Sequence, residues 1–426
     1  METETSVLTA LDIEEKSGCM ISMVGGGGKT SLLFRLCKEW MTHGKTVIIT
    51  TTTQMYYEPD CPYADWGESE TIREQIDECG YVMVGQNIFT DPEGGKAWKL
   101  QGISAEQISS LRPEADVILV EADGARHKPL KMPARWEPVV PRDSDYVIGV
   151  MGLQALGKPM EQACHRPERA AEFLKKQVTE RITKEDMLAL ALSSRALRKH
   201  CVGEYRVYIN QVDCQAHKEV AAEFLKELEK NQIKAAAGCS KDVAVILLAA
   251  GNSTRFGENK LRYTIDNEPM YRHIVKKCLK LPVFRWIMVT QYDEIQQELQ
   301  ETPMEVVRNT HPNWGISHSI HLGVTAATHA DAYLFAVCDQ PYVSLHTLEN
   351  LLESYRRERY GLAAVCYEDR WGNPNIFSAK YRKELLALQG DVGGKRILLA
   401  HQRDMLAVSV SEEQELKDLD KKEELL

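Results

Sequence analysis

Two glycine-rich turns in this chain carry the residue types that phosphate chemistry needs. The first, Val24-Gly25-Gly26-Gly27-Gly28-Lys29-Thr30-Ser31, lies between an apolar run and a helical pattern. Glycine reaches the dihedrals that curl a backbone around an anion with its N–H groups inward. Lys29 adds a cation, and Thr30 offers a hydroxyl to Mg²⁺. The usual spacing of such a loop places a glycine where this chain has Met23. An acid should end a neighbouring strand, and the apolar run Val117–Val120 leads into Glu121-Ala122-Asp123-Gly124. A carboxylate there can hold a Mg²⁺-bound water or polarise an attacking one.

The second turn, Leu248-Ala249-Ala250-Gly251-Asn252-Ser253-Thr254-Arg255-Phe256-Gly257-Glu258-Asn259-Lys260, also follows an apolar strand. Nucleotidyl transfer needs a backbone surface for base and phosphates, cations for the charge spreading over the α-phosphate and pyrophosphate, and a metal. Gly251 and Gly257 allow close approach, and Arg255 and Lys260 are the cations. The metal acid should end a later strand; Leu334–Val337 runs into Cys338-Asp339-Gln340-Pro341. Magnesium takes few carboxylates beside phosphate oxygens and water, so Asp339 with one more acid suffices. Asp418-Leu419-Asp420 supplies a candidate, although by composition this pair reads as part of a solvated acidic tail.

Other motifs are more ambiguous. Thr50–Thr53 reads equally as phosphate-binding hydroxyls or as β-propensity running into a turn. Asn210-Gln211-Val212-Asp213 is similar to the N-K-x-D base-reading motif of GTP-binding proteins, with Gln211 at the lysine position; a polar loop capping the next helix explains it as well. His165-Arg166 before Pro167 reads first as a capping feature.

Elements must hold these residues. Strands are expected at Cys19–Val24, Thr46–Thr50, Asp116–Val120, Tyr146–Val150 and Arg206–Ile209, then at Val243–Leu248, Trp286–Val289, Met304–Val307, Ala332–Val337, Ala363–Tyr367 and Met405–Val408. Helical patterns intervene at Ser31–His43, Ala216–Asn231, Pro269–Leu279 and Leu345–Arg357. This alternation predicts an α/β protein with mostly parallel sheets. Each glycine turn opens its own nucleotide-binding sheet. The expectation is two domains, a phosphate-loop nucleotide-binding domain over 1–238 and a Rossmann-like transferase domain over 239–426, joined near Lys234–Asp242. No internal repeat relates them.

Composition narrows the function. The chain has 426 residues, so either half is long enough for its own core. A net charge of -10 argues against a nucleic-acid partner but not against small phosphorylated ligands. The cysteines form no C-x-x-C pair and read as neither a disulfide framework nor a zinc site. Met1–Lys16 is acidic without an apolar run, and stretches such as Val243–Ala250 are too short to span a bilayer. A cytoplasmic location without membrane association is expected.

Two resemblances sharpen this reading. Gly25–Ser31, Thr50–Met55, Glu121–Arg126 with Lys128–Lys131, Gly149–Pro159 and His165-Arg166-Pro167 resemble the YqeC family, accessory proteins of selenium-dependent molybdenum hydroxylases. The phosphate-loop residues point to a nucleoside triphosphate, ATP or GTP, bound at Gly25–Ser31 with Glu121 and Asp123, while the resemblance supplies only context. It gives no reaction. Leu248–Lys260, Asn309 with Trp314–Ser319, Cys338–Pro341, Gly372-Asn373-Pro374 with Phe377, and Gly390–Gly393 resemble the MocA-like molybdenum cofactor cytidylyltransferases, within the MobA-like nucleotidyltransferases. That implies transfer of CMP from CTP to molybdopterin with release of pyrophosphate. Arg255, Lys260 and Asp339 would be catalytic. Leu248, Ala249, Ala250, Gly251, Ser253, Gly257, Gln340 and Pro341 would bind nucleotide, and Asp339 and Asp420 would bind Mg²⁺. The acceptor side is expected at Ser317, Ser319, Gly372 and Asp391. Ala249-Ala250-Gly251 with Asp339-Gln340-Pro341 resembles the CTP-using type; Lys421 departs from the threonine that follows Asp420's counterpart. Both resemblances point to molybdenum hydroxylase maturation, with an apo-hydroxylase as an expected partner. The rival readings are a nucleotidyltransferase for another phosphorylated acceptor, and a nucleotide-gated chaperone delivering cofactor or selenium.

Overall fold

The computed structural model describes residues 6–57, 61–90, 98–251, 259–283, 285–328, 330–358 and 360–419. It divides into two compact α/β units that change over between Ser240 and Lys241, with the short turn Asp213–Gln215 grouped with the second.

The N-terminal unit is built on a sheet of β1 (Cys19–Gly25), β2 (Val47–Thr51), β3 (Tyr63–Asp65), β4 (Tyr81–Gly85), β5 (Val117–Glu121), β6 (Tyr146–Gly152), β7 (Glu204–Asn210) and β8 (Lys234–Ala237). Their spatial order is β8-β7-β6-β1-β5-β2-β4-β3, and every printed pairing is parallel. β1, β2, β5 and β6 are buried along their whole lengths, as a parallel sheet covered by helices on both faces requires. Helix α1 (Lys29–Thr42) follows β1 directly and turns Leu32, Leu33, Leu36 and Trp40 inward. A three-stranded antiparallel sheet of Gln54–Tyr57, Asn87–Thr90 and Trp98–Gln101 forms a separate layer.

The C-terminal unit orders β9 (Val243–Ala249), β10 (Arg285–Thr290), β11 (Glu305–Arg308), β12 (Ala332–Val337), β13 (Leu362–Tyr367), β14 (Arg370–Ser378) and β15 (Met405–Ser409) as β11-β10-β9-β12-β14-β13-β15. Only β14 runs antiparallel to its neighbours. Successive β9 side chains enter opposite cores: Val243, Val245 and Leu247 on one face, Ala244 and Ile246 on the other. Two more helices, α2 (Ile316–Ala326) and α3 (Leu345–Arg357), flank the sheet. From β9 the chain first builds outward through β10 and β11, then crosses to β12. The sheet therefore has its topological switch point between β9 and β12, where α/β sheets open a crevice at the carboxyl ends of their strands.

The expected strands are all present, each within two residues at either end. Among the features not anticipated are β3, β4, the small antiparallel layer and β14. β8 also falls inside the stretch read as a linker. Its alanine-rich sequence has little β-propensity, and its pairing with β7 makes it a strand.

Candidate functional site

In the N-terminal unit the first glycine turn leaves the end of β1 at Gly25. Gly25, Gly27 and Gly28 have φ of 101°, 79° and 106°, which side chains other than glycine rarely adopt. The turn is also walled in. A Cβ on Gly27 would lie 2.3 Å from the Gly152 nitrogen, and one on Gly26 would lie 2.6 Å from the Lys128 carbonyl. Gly25 N–H donates to the Asp123 carboxylate at 3.2 Å, Gly26 N–H to Val150 O at 3.0 Å, and Gly27 N–H to Lys128 O at 3.0 Å. The expectation that the whole glycine backbone turns its N–H groups toward a phosphate is thus not met here. These three N–H groups bind the protein itself, because the ends of β5 and β6 and the segment after Asp123 close over the turn. An anion is left with the first turn of α1, where Gly28 is the N-cap and the following N–H groups have no helical acceptor.

Lys29 sits beneath this point, only 4 % exposed. Its ammonium donates to Gly25 O at 2.7 Å and lies 3.2 Å from Asp123 and 3.8 Å from Glu121. Burial opposes its charge, but Asp123 and then Glu121 outweigh burial and hold its pKa above the ordinary value. Burial pushes the Glu121 carboxyl up, against Lys29 and the Thr30 hydroxyl, which donates to it at 2.7 Å. The structure therefore brings Lys29, Thr30, Glu121 and Asp123 together, as their positions at neighbouring strand ends imply. Ser31 is exposed on α1.

The charge network runs further than the sequence reading foresaw. Lys131, fully buried, lies 3.1 Å from Asp123 and 3.2 Å from Glu137, and Glu137 pairs with Arg166 at 2.7 Å. A lysine between Leu130 and Met132 in a short apolar run was the available signal. Arg166 is the N-cap residue of the helix Pro167–Leu174. His165 beside it is driven down to about 4 by burial and then by Arg166 and Lys131, so its imidazole is neutral at neutral pH. Asn210, from the motif after β7, donates to Gly27 O at 2.8 Å and so braces the turn. Thr50 and Thr51 are buried and give their hydroxyls to the carbonyls of Val84 and Glu121, a structural role.

In the C-terminal unit the second turn begins at Ala250 beyond β9. The carbonyls of Ala249, Ala250 and Gly251 accept from Thr290, Gln291 and Tyr292, so the loop after β10 fixes the backbone of the turn. Gly251 itself is exposed, and a Cβ there would meet nothing within 4 Å among the described residues. Ser253, Arg255 and Gly257 lie outside the described residues. Lys260 starts a short 3₁₀ turn capped by Asn259. Its ammonium donates to Asp339 Oδ2 at 2.7 Å, and both side chains remain partly open, 13 % and 22 % exposed. Asp339 Oδ1 is buried and has no hydrogen-bond partner among the described residues. β9 and β12 lie side by side with Leu248 opposite Val337, which is why residues 79 apart in sequence meet.

The C-terminal tail closes on this corner. Leu419 N–H donates to Asp339 O at 3.0 Å. Gln340, expected to touch nucleotide, is buried, and its amide holds the tail through Leu416 O at 3.2 Å and Asp418 Oδ1 at 2.7 Å. Pro341 is buried, its carbonyl accepting from Lys277. Asp420, the proposed second metal ligand, lies outside the described residues. The four acceptor candidates separate into two places. Ser317 N–H meets Gly390 O at 3.3 Å, next to the exposed Asp391. Gly372 faces Leu416 near the tail. Ser317 and Ser319 are buried, and Ser319 Oγ accepts from Asn309 Nδ2 at 3.0 Å, so these serines face the interior rather than an open acceptor side.

Fold and site define a class: two α/β domains in one chain, the second with a lysine–aspartate pair at its topological switch point. Residues 21–168 match the family model of the YqeC protein, and residues 245–405 match the MobA-like NTP transferase domain. The chain is 34% identical over 233 residues to the uncharacterized protein YqeC of Escherichia coli (strain K12), across 52% of this chain and 87% of that protein. It therefore belongs to the YqeC family through its N-terminal half and carries a MobA-like NTP transferase domain, a nucleotidyltransferase domain, in its C-terminal half. Over 42% of its length it is also similar to the purine catabolism protein PucB of Bacillus subtilis (strain 168), 26% identical across 92% of that protein. Among solved structures, a nucleotidyl transferase from Methanothermobacter thermautotroptrophicus is 23% identical, covering 42% of this chain and 92% of its own, with a TM-score of 0.38. No helix among the described residues is long and apolar enough to cross a membrane.

Proposed function

We propose that the C-terminal domain transfers CMP from CTP to the terminal phosphate of molybdopterin, and that the N-terminal domain binds a nucleoside triphosphate, ATP or GTP, in support of molybdenum hydroxylase maturation. The observation that carries the transfer is the Lys260–Asp339 pair at the switch point, with one carboxylate oxygen on the ammonium and the other without a partner among the described residues. A buried, orphaned carboxylate oxygen beside a cation fits a divalent metal shared with phosphate oxygens. Asp339 would hold Mg²⁺, with Asp420 as the second ligand that the family resemblance implies. When bound, the ion neutralises charge on the phosphate oxygens of the nucleotide.

The chain's own residues do the rest. The exposed backbone at Gly251 would take the triphosphate, and Lys260, with Arg255 as the family resemblance implies, would stabilise the charge that builds on the α-phosphate and pyrophosphate. An acceptor phosphate oxygen attacks the α-phosphorus in line; the new P–O bond forms as the α–β bond breaks, and pyrophosphate leaves. No side-chain nucleophile takes part. In the N-terminal domain a phosphate at the first turn of α1 would draw Lys29 from Asp123. Thr30 and Glu121 would supply the metal side.

The test is product analysis. The full chain is incubated with Mg²⁺, molybdopterin and either CTP or GTP, and the dinucleotide and pyrophosphate are quantified. CTP is expected to give the larger kcat/KM, the cytosine dinucleotide and stoichiometric pyrophosphate. Equal or GTP-favouring values refute the CTP assignment. Turnover only with a sugar or polyol phosphate refutes the acceptor.

A further inference from the structure

The segment joining β11 to α2, with the first turn of α2, carries three rings that the core does not use. His311 and Trp314 are stacked, centroids 4.2 Å apart and planes 23° from parallel. His318 stands edge-on to the indole at 4.8 Å. Trp314 is nevertheless 58 % exposed, and His311 is exposed beside it. An indole is among the largest apolar surfaces a chain can bury, and this one is displayed.

The display is rigidly mounted. Asn309 is buried and clips the segment at three points: its N–H donates to Thr290 O at 2.8 Å, its side-chain oxygen accepts from His311 N–H at 2.9 Å, and its amide nitrogen donates to Ser319 Oγ. Gly315, at φ 86°, presses against the next loop so closely that a Cβ would stand 2.3 Å from Gly390 O. The helix start then turns Ser317 and Ser319 inward and leaves His318 on the ring side. Burial, followed by His311 and His321, holds the His318 imidazole below its usual range, so it behaves as an uncharged ring at neutral pH.

The position matches the transferase crevice. The rings follow β11, two strands from β9, at the carboxyl end of the sheet, where Gly251 also lies. At strand spacing the ends of β9 and β11 are about 10 Å apart. That is the reach of one substrate molecule with its phosphate at the turn and its ring at the side.

We infer that the His311–Trp314–His318 stack is a ring-binding subsite, on which the planar nitrogen heterocycle of a phosphorylated substrate is held by stacking. It rests on the nucleotidyl-transfer reading, and it makes these three residues determinants of affinity rather than of chemistry. Either heterocycle of that reaction, a nucleobase or a pterin, has the flat π-face required.

The test is calorimetric titration of the full chain and of its Trp314→Ala and Trp314→Phe variants. The probes are each of the four ribonucleoside triphosphates with Mg²⁺ and, separately, 6-hydroxymethylpterin. The N-terminal site contributes equally in all three proteins. Removal of a stacking ring weakens binding by about 10-fold or more. The expected result is that loss for at least one probe in Trp314→Ala, with Trp314→Phe within about 3-fold of the native chain because a flat ring is restored. Weakening for a triphosphate alone assigns the stack to the nucleobase, and for the pterin alone to the acceptor. Native-like binding of every probe by Trp314→Ala, or no binding of any probe by the native chain, overturns the subsite. Weakened binding of a triphosphate other than CTP supports the stack while removing the CTP assignment, so the two readings fail separately.

Discussion

Lys29, at the start of α1, and Asp339, just beyond β12, are both charged groups, yet they stand in opposite states. Lys29 is buried and satisfied by a carbonyl and two carboxylates, whereas Asp339 keeps one oxygen unmatched among the described residues in a partly open corner. An unsatisfied buried acceptor costs about 1–3 kcal/mol, which a fold retains where a ligand completes it. Asp339→Ala is therefore expected to reduce transfer to the detection limit with the thermal transition of the C-terminal unit intact. Near-native turnover of that variant at saturating CTP and Mg²⁺ would dismiss the metal assignment. Lys260→Ala should lower kcat/KM by about 100-fold or more, the scale of losing one preorganised charge in a transferase site. Added Mg²⁺ should not restore it, since the ammonium and the ion act on different phosphate oxygens. Recovery with Mg²⁺ would show that Lys260 only occupies the metal's place.

Elements explain why the two glycine turns differ in use. The turn after β1 is enclosed by the ends of β5 and β6 and by Asn210, so its glycines are needed for close packing as much as for φ. At Gly251, after β9, a Cβ would meet nothing within 4 Å among the described residues. A pair of substitutions separates packing from conformation. Gly44→Ala meets nothing within 4 Å at φ 71° and should cost only the left-handed strain, about 1 kcal/mol. Gly27→Ala adds a collision with the Gly152 backbone to the same strain, roughly 2–5 kcal/mol in all. At about 2–4 °C per kcal/mol for a unit of this size, calorimetry of the N-terminal transition should show roughly 2–4 °C for the first and about 4–20 °C for the second. Equal shifts would mean that the turn relaxes away from β6.

Each half of the molecule has its own sheet, helices and buried clusters. Val243, Leu247, Leu334 and Leu351 lie in one core of the C-terminal unit, and Ile21, Leu33, Ile49 and Ile148 lie in one core of the N-terminal unit. A fragment starting near Ser240 is accordingly expected to fold and to transfer CMP to free molybdopterin. On the proposed reading, Lys29→Ala in the full chain should weaken triphosphate binding at α1 and leave that transfer within about 3-fold, because the two compact units each have their own core. An insoluble fragment, or transfer that stops in Lys29→Ala with free cofactor, would show that the N-terminal site gates the chemistry.

The sequence alone determined the class of both sheets, their principal strands and the chemistry-bearing strand ends. Those signals are local: an apolar run of strand length, glycines just beyond it, and an acid after a later apolar run such as Leu334–Val337. The tertiary structure decided which polar groups remain available. Only the packing of β5, β6 and the Lys128 segment shows that the N–H groups of Gly25, Gly26 and Gly27 are already taken. Only the tail's return shows that Gln340 fastens residues 416–418. Only the helix start shows that Ser317 and Ser319 turn inward while Trp314 turns out. Hydrogen-bond partners and burial are set by residues far apart in sequence, so residue type and spacing identify a donor but not what it binds.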